Sequence, residues 1–309
     1  QAQIHKKKEG FDYSAYKNSF KSEMSASIYN KEEVKKSKMF QALWGDHYRE
    51  VYGKDITFPV AALDTLMGGF TIERQGGGQV TRSLRLINKK TGKRYCLRAM
   101  RKSVTQFLQK GAFKYTYLED SFDDTFTEDL LSDFYTSGYP YAFLTVGTLA
   151  DAIGVYHANP KVYFIPKHPA LGTYNESFGD ELYFLEERPG KEHNDQISFG
   201  KPDDIEGTED FLRKLRKDEE YQIDQKHYIR TRLFDMILGD WDRHSDQWRW
   251  ARFDTENGKL YSPIPKDRDQ VFCNYDGFII DAIKFVVPLM RKFQVYDGEI
   301  KKPRLMNQS

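Results

Sequence analysis

The 309 residues carry 47 basic and 46 acidic side chains, a formal net charge of +1 that creates no global field toward nucleic acid or anionic lipid. The 22 Phe and 20 Tyr exclude a disordered chain, because aromatics supply the buried area that offsets chain entropy. Two cysteines, Cys96 and Cys273, are too few for a disulfide framework or a Cys-based zinc site. The longest apolar stretches, 141–155 and 278–290, are short or carry Asp151, Asp281 and Lys284, so neither reads as a membrane span.

In chain order, residues 1–54 form an N-terminal extension, Lys/Glu/Ser-rich to about 38, that reads as a tether or a surface helix from about residue 31 into 44–51. Residues 55–189 are β-rich: strands are expected at 58–63, 70–73, 83–88, 94–100, 161–166 and 181–187, with a helical stretch over 128–154 broken near 138–140. Lys89-Lys-Thr-Gly92 reads as a hairpin turn, and Gly154 as a helix C-cap. Residues 190–309 are more helical. A charged stretch over 191–217 leads to a helix at 221–238, with Ile229, Leu233, Met236 and Ile237 at helical spacing and Gly239 as its stop. Strands 248–253 and 259–264 follow, joined by Asn257-Gly258, and 278–293 is a last helix interrupted at Pro288. The whole reads as an α+β protein.

The segment Gly239-Asp-Trp-Asp-Arg-His-Ser-Asp-Gln-Trp248 places Asp240, Asp242, His244, Asp246 and Gln247 directly after a capped helix. A second acidic segment, Pro263-Ile-Pro-Lys-Asp-Arg-Asp-Gln-Val-Phe272, places Asp267 and Asp269 after the second strand of the hairpin. A turn near 256–257 puts Gln247 opposite residue 266 and brings Asp242 toward Asp267 and Asp269. Any one of these aspartates alone is an ordinary solvated loop residue. Gathered at one end of a ribbon, they repel unless something positive sits between them. Oxygen ligands without cysteine suit a hard cation, Mg²⁺ or Mn²⁺, better than zinc.

An Asp-Arg-His loop with an amide five residues after the Asp, then a hairpin, then a metal-binding Asp, is the order of a kinase catalytic centre. On these two motifs, within roughly 58–293, the sequence resembles the atypical branch of the protein-kinase-like superfamily, which includes HipA-type, spore-coat CotH, secretory-pathway and phosphoinositide kinases. It resembles even more a bacterial domain found beside metallophosphoesterase and outer-membrane barrel modules in envelope proteins. The resemblance implies a two-lobed fold, with a β-rich N-lobe and a more helical C-lobe bearing a catalytic β-hairpin. It implies ATP and Mg²⁺ or Mn²⁺ as cofactors, a larger multidomain protein, and a periplasmic or envelope location. Asp242 would be the base, with Gln247 and Asp267 or Asp269 holding the metal. Gln247 stands where the family usually has Asn. In that family the residue at His244 mostly braces the loop; direct proton transfer is the other role open to it.

Arg74-Gln-Gly-Gly-Gly-Gln-Val-Thr-Arg-Ser83 lies between two expected strands. Gly76, Gly77 and Gly78 lack Cβ atoms, so backbone N–H groups can approach phosphate oxygens, and Gln79, Thr81 and Arg82 add polar contacts. Flexible hairpin loops look the same, but a kinase N-lobe carries such a loop upstream of its acidic motifs. Arg98 lies mid-strand where kinases place a phosphate-gripping Lys, with Lys102 just beyond. The strand bearing Glu186 and Glu187 ends at Pro189-Gly190 and looks like a kinase hinge. The helical carboxylate that pairs the Lys is not evident; Glu128 and Asp129 are the candidates. The expected activity is phosphoryl transfer from ATP to a hydroxyl of a protein, sugar, lipid or small molecule, with AMP transfer also open. The alternatives are a nucleotide-binding pseudokinase or interaction module, and a metal-dependent phosphoesterase.

Overall fold

The computed structural model describes residues 22–76, 81–102, 133–240 and 243–286. These build a mixed α+β fold around three sheets. The largest has β3 (Phe70–Gln75), β4 (Ser83–Asn88), β5 (Arg94–Ala99), β6 (Lys161–Ile165) and β7 (Glu181–Glu187) in the order β3-β4-β5-β7-β6, all antiparallel. The β4–β5 turn forms where expected. Gly92 takes φ 70°, and Asn88 Oδ1 accepts from the Lys90 and Thr91 amides at 3.1 and 2.9 Å.

Alternation along these strands makes two different faces. Leu84, Leu97 and Leu185 stand in one cross-strand row and belong to an apolar core with Leu86, Ile165 and Phe178. The neighbouring row is Arg85, Cys96 and Glu186.

The hairpin of β10 (Trp248–Thr255) and β11 (Gly258–Pro265) has the expected register, with Trp248 opposite Pro265. It is the centre of a second sheet, flanked by β8 (Asp204–Gly207) and β9 (Tyr221–Ile223). The helix α6 (Thr208–Leu215) covers it through Phe211, stacked on Trp250 with ring centroids 4.1 Å apart. The stretch 191–217, read only as charged, thus contains a strand and an amphipathic helix. Where a helix was expected from residue 221, 221–223 is strand and α7 (Gln225–Leu238) begins after Asp224, whose side chain accepts from the His227 amide at 2.9 Å.

α7 buries the face opposite to the one its apolar spacing suggests. Ile229, Leu233 and Ile237 are 57%, 50% and 53% exposed, whereas Thr231, Arg232, Phe234 and Asp235 are buried. The ionisable pair is drawn inward by partners from outside the helix, described below. Phe234 and Leu238 pack against Val146 and Ala150 of α4 (Phe143–Ile153), which ends at Gly154 in the left-handed C-cap conformation.

The N-terminal region is more than a tether or one surface helix. β1 (Glu23–Ala26) pairs with β2 (Ile56–Pro59), and α1 (Lys31–Val34), α2 (Lys38–Trp44) and α3 (Arg49–Tyr52) are short and separate. Ile28, Tyr29 and Tyr52 share a core with Met100, Phe143 and Phe184. The buried Arg49 guanidinium grips Asp133 at 2.5 and 2.6 Å. Helix α5 (Asn175–Phe178) precedes β7, and α8 (Phe278–Val286) closes the described chain; the expected helix region beyond 286 and the stretch 128–132 lie outside the described residues. Among the described residues no helix is long and apolar enough to cross a membrane.

Candidate functional site

The site forms where the exit of β11 meets the charged face of the five-stranded sheet. As the hairpin register requires, the Lys266 amide donates to the Gln247 carbonyl at 2.9 Å, and Gln247 Nε2 lies 3.4 Å from Asp267 Oδ2. Asp267 has φ 56°, a left-handed conformation uncommon outside glycine. That turn aims its carboxylate across the cleft at β5. Arg98 Nη1 donates to Asp267 Oδ2 at 3.0 Å, and Arg98 Nε donates to Glu186 Oε1 at 2.9 Å. Lys102 Nζ donates to Asp269 Oδ2 at 2.5 Å and to Thr81 Oγ1, beside the glycine loop, at 3.1 Å.

Residues separated by 167 to 169 positions are thus joined in one network. Burial raises the proton affinity of the Asp267 carboxylate, but Arg98, Lys102 and Lys266 overcome it and hold its pKa down at about 2. Burial pushes Glu186 up, against the pull of Arg98. Burial, with Arg249 and Arg98 adding repulsion, lowers Lys266 to about 8. A cleft opens beside these groups, walled by Phe143, Val146, Phe184 and Pro265 and reaching Asp267 and Asp269.

The first acidic segment is organised differently. Arg243 is wholly buried; its Nε donates to Asp235 Oδ2 at 3.2 Å, its Nη2 binds Asp240, and its Nη1 binds the Lys266 carbonyl. Arg268 Nη1 binds Asp235 and reaches Asp240 Oδ2 at 3.0 Å, and Arg232 Nη1 donates to Asp235 at 2.7 Å. The end of α7, the loop and the segment after β11 are therefore tied by one ionic cluster. Burial lifts Asp240 to about 6 against the attraction of Arg243 and Arg268.

Of the expected site residues, Gln247, Asp267, Asp269, Arg98, Lys102 and Glu186 come together. Asp242, Gly77, Gly78 and Gln79, with the alternatives Glu128 and Asp129, lie outside the described residues. Gly76 directly follows β3, with its amide on the Ser83 carbonyl at 2.7 Å, and a Cβ there would collide with Ser83 Oγ. Glu187 accepts from the Asn159 amide at 2.7 Å. Arg82 turns to Glu181 and the Ser177 carbonyl rather than into the loop. His244 is exposed; its Nδ1 accepts from the Asp246 amide at 3.3 Å, a local cap, while the loop is braced by Arg243.

The sequence reading missed Asp235, Arg243 and Arg268. Their signal was the Arg flanking each acidic motif, which charge counting treats as solvated. It also sought the carboxylate partner of the basic strand on a helix, where the neighbouring strand supplies Glu186.

A divalent cation would find oxygen donors in Asp267, Asp269 and Gln247, a set that suits Mg²⁺ or Mn²⁺. Both carboxylates are already neutralised by Arg98 and Lys102, and among the described residues no group of three His, Cys, Asp or Glu side chains is arranged to hold a metal. The charge that a metal would balance is balanced by the protein's own cations, so metal entry requires those cations to change partners. No family model, curated protein or solved structure matches this chain.

Proposed function

We propose that the chain is a phosphotransferase of the two-lobed kinase-like kind, using ATP and Mg²⁺ or Mn²⁺ to phosphorylate a hydroxyl acceptor. The observation that carries this reading is the meeting of the basic strand with the second acidic segment through Arg98–Asp267 and Lys102–Asp269. Cations suited to phosphate and carboxylates suited to a metal face each other across a cleft, which is the electrostatic pattern that phosphoryl transfer uses.

In this reading the ion pairs hold the two walls of the cleft together. Arg98 and Lys102 swing from carboxylate to phosphate when nucleotide enters, and Asp267, Asp269 and Gln247 turn to the accompanying metal, which would neutralise phosphate charge. Asp242 would take the proton of the acceptor hydroxyl. Its chain neighbours support that role, since Asp240 and Arg243 on either side are both buried in the ionic cluster.

The test is transfer from γ-labelled ATP by the parent and by Asp242→Asn. The parent should transfer label. The variant should lose about 10²–10⁴-fold in rate, the contribution of a positioned general base, while binding ATP–Mn²⁺ within a few-fold of the parent. A parent that binds ATP–Mn²⁺ but never transfers label overturns the enzyme reading. It would favour a nucleotide-binding module without turnover, a second reading supported by the neutralisation of both carboxylates and by the Gln247 amide against Asp267.

A further inference from the structure

Toward the end of β7 lies a second pocket, which shares Glu186 and Lys266 with the cleft. Arg85 enters it from β4, Arg188 from the residue after β7, Arg249 from β10 and Lys266 from the exit of β11. All four are half-buried, and among the described residues none is ion-paired. The carboxylates on the pocket wall are engaged elsewhere: Glu186 takes Arg98, and Glu187 takes the Asn159 amide. Glu73 attracts Arg188 and Asp246 attracts Arg249, but Arg85 repels both arginines.

The β10–β11 hairpin, β4 and the end of β7 thus converge on a concave site with an excess of positive charge. Such an arrangement opposes folding unless something negative occupies it. Guanidinium groups present planar forks that match phosphate oxygens two at a time, and three of them approach here, from β4, from β10 and from the residue after β7.

We propose that this pocket binds a small polyanion bearing phosphate groups, held by Arg85, Arg188, Arg249 and Lys266. The proposal goes beyond the phosphotransferase reading and does not depend on it, since it uses neither the glycine loop nor the Asp267–Asp269 pair. Two sources share this chemistry: the phosphate tail of a nucleotide, and a phosphorylated second ligand.

The test is calorimetric titration of inorganic triphosphate in EDTA at low ionic strength. The parent should bind it, with an affinity that falls steeply as salt rises. Arg85→Gln with Arg249→Gln should weaken binding at least tenfold, while the ligand-free melting temperature stays level or rises because repulsion is relieved. Arg188→Gln alone should weaken binding several-fold, and serves if the double variant fails to fold. Triphosphate binding in EDTA by a parent that shows no Mn²⁺-dependent ATP binding would overturn the phosphotransferase reading and leave this site standing, so the two failures are separate outcomes. Repeating the parent titration with saturating ATP–Mn²⁺ separates the sources: displacement assigns the pocket to the nucleotide tail, and simultaneous binding to a second phosphorylated ligand. No binding by the parent in EDTA, or equal binding by the folded arginine variants, overturns the proposal.

Discussion

The two acidic groups at the ends of the β10–β11 hairpin have similar composition and opposite fates. Asp235 and Asp240 are sealed: their side chains are 1% and 0% exposed, and Arg232, Arg243 and Arg268 close around them. Asp267 and Asp269 remain 21% and 25% exposed, and their cations come from β5 and the residues just after it, across a cleft. Carboxylates whose cations sit within the same cluster serve as a brace. Carboxylates whose cations face them across an opening can exchange partners.

The comparison is tested most severely at the brace. Asp235→Ala leaves Arg232, Arg243 and Arg268 facing one another without their shared carboxylate. Removing one partner from a buried ionic cluster costs about 3–5 kcal/mol, so urea denaturation should show a loss of that order. A loss below about 1 kcal/mol would mean that the sealed group is no more structural than the open one.

At the open group the effect should be smaller and should follow pH. The folded pKa of Asp267, about 2, lies below the ordinary value of 3.8, so its contribution is fully present above pH 4. That contribution is lost as pH falls through about 2. Asp267→Asn should therefore be less stable than the parent at neutral pH and show a flatter acid limb between about pH 4 and 2. A parallel shift of the whole curve would remove Asp267 from the ionic network.

The smallest effect belongs to Asp269→Asn, which breaks the pair with Lys102. A partly exposed single ion pair contributes roughly 0–1 kcal/mol, screened by salt. The difference from the parent should fall within that range and shrink in 1 M NaCl.

Much of the second group was legible because it follows from local rules. Asn257-Gly258 fixes the hairpin register, the register puts Gln247 beside Lys266, and strand alternation puts Arg98 on the face opposite Leu97. The brace was not legible, because a sequence supplies charges without saying which are buried. Arg243 reads as one more loop cation, yet it is wholly buried. The same blindness inverted α7, where Ile229, Leu233 and Ile237 look like a core stripe, while Asp235 takes the buried face to meet Arg243 and Arg268, 8 and 33 residues further on, and Arg232 pairs with it there. The basic quartet of Arg85, Arg188, Arg249 and Lys266 was equally hidden, since only tertiary folding brings the four to one pocket. The α+β class was legible from composition and punctuation, whereas β1, β8 and β9 were not, being short strands defined by pairing with distant partners.

The central claim is that Asp267 and Asp269 exchange Arg98 and Lys102 for a metal when nucleotide binds. The most direct measurement is ATP binding, with Mn²⁺ and with EDTA, to the parent and to Asp267→Asn with Asp269→Asn. If the exchange occurs, the parent binds ATP far more tightly with Mn²⁺, and the double variant loses that metal dependence. Its freed cations should leave a weaker, metal-independent affinity. Mn²⁺-dependent ATP binding that survives unchanged in the double variant would contradict the account, because the carboxylates would then be partners of Arg98 and Lys102 and nothing more.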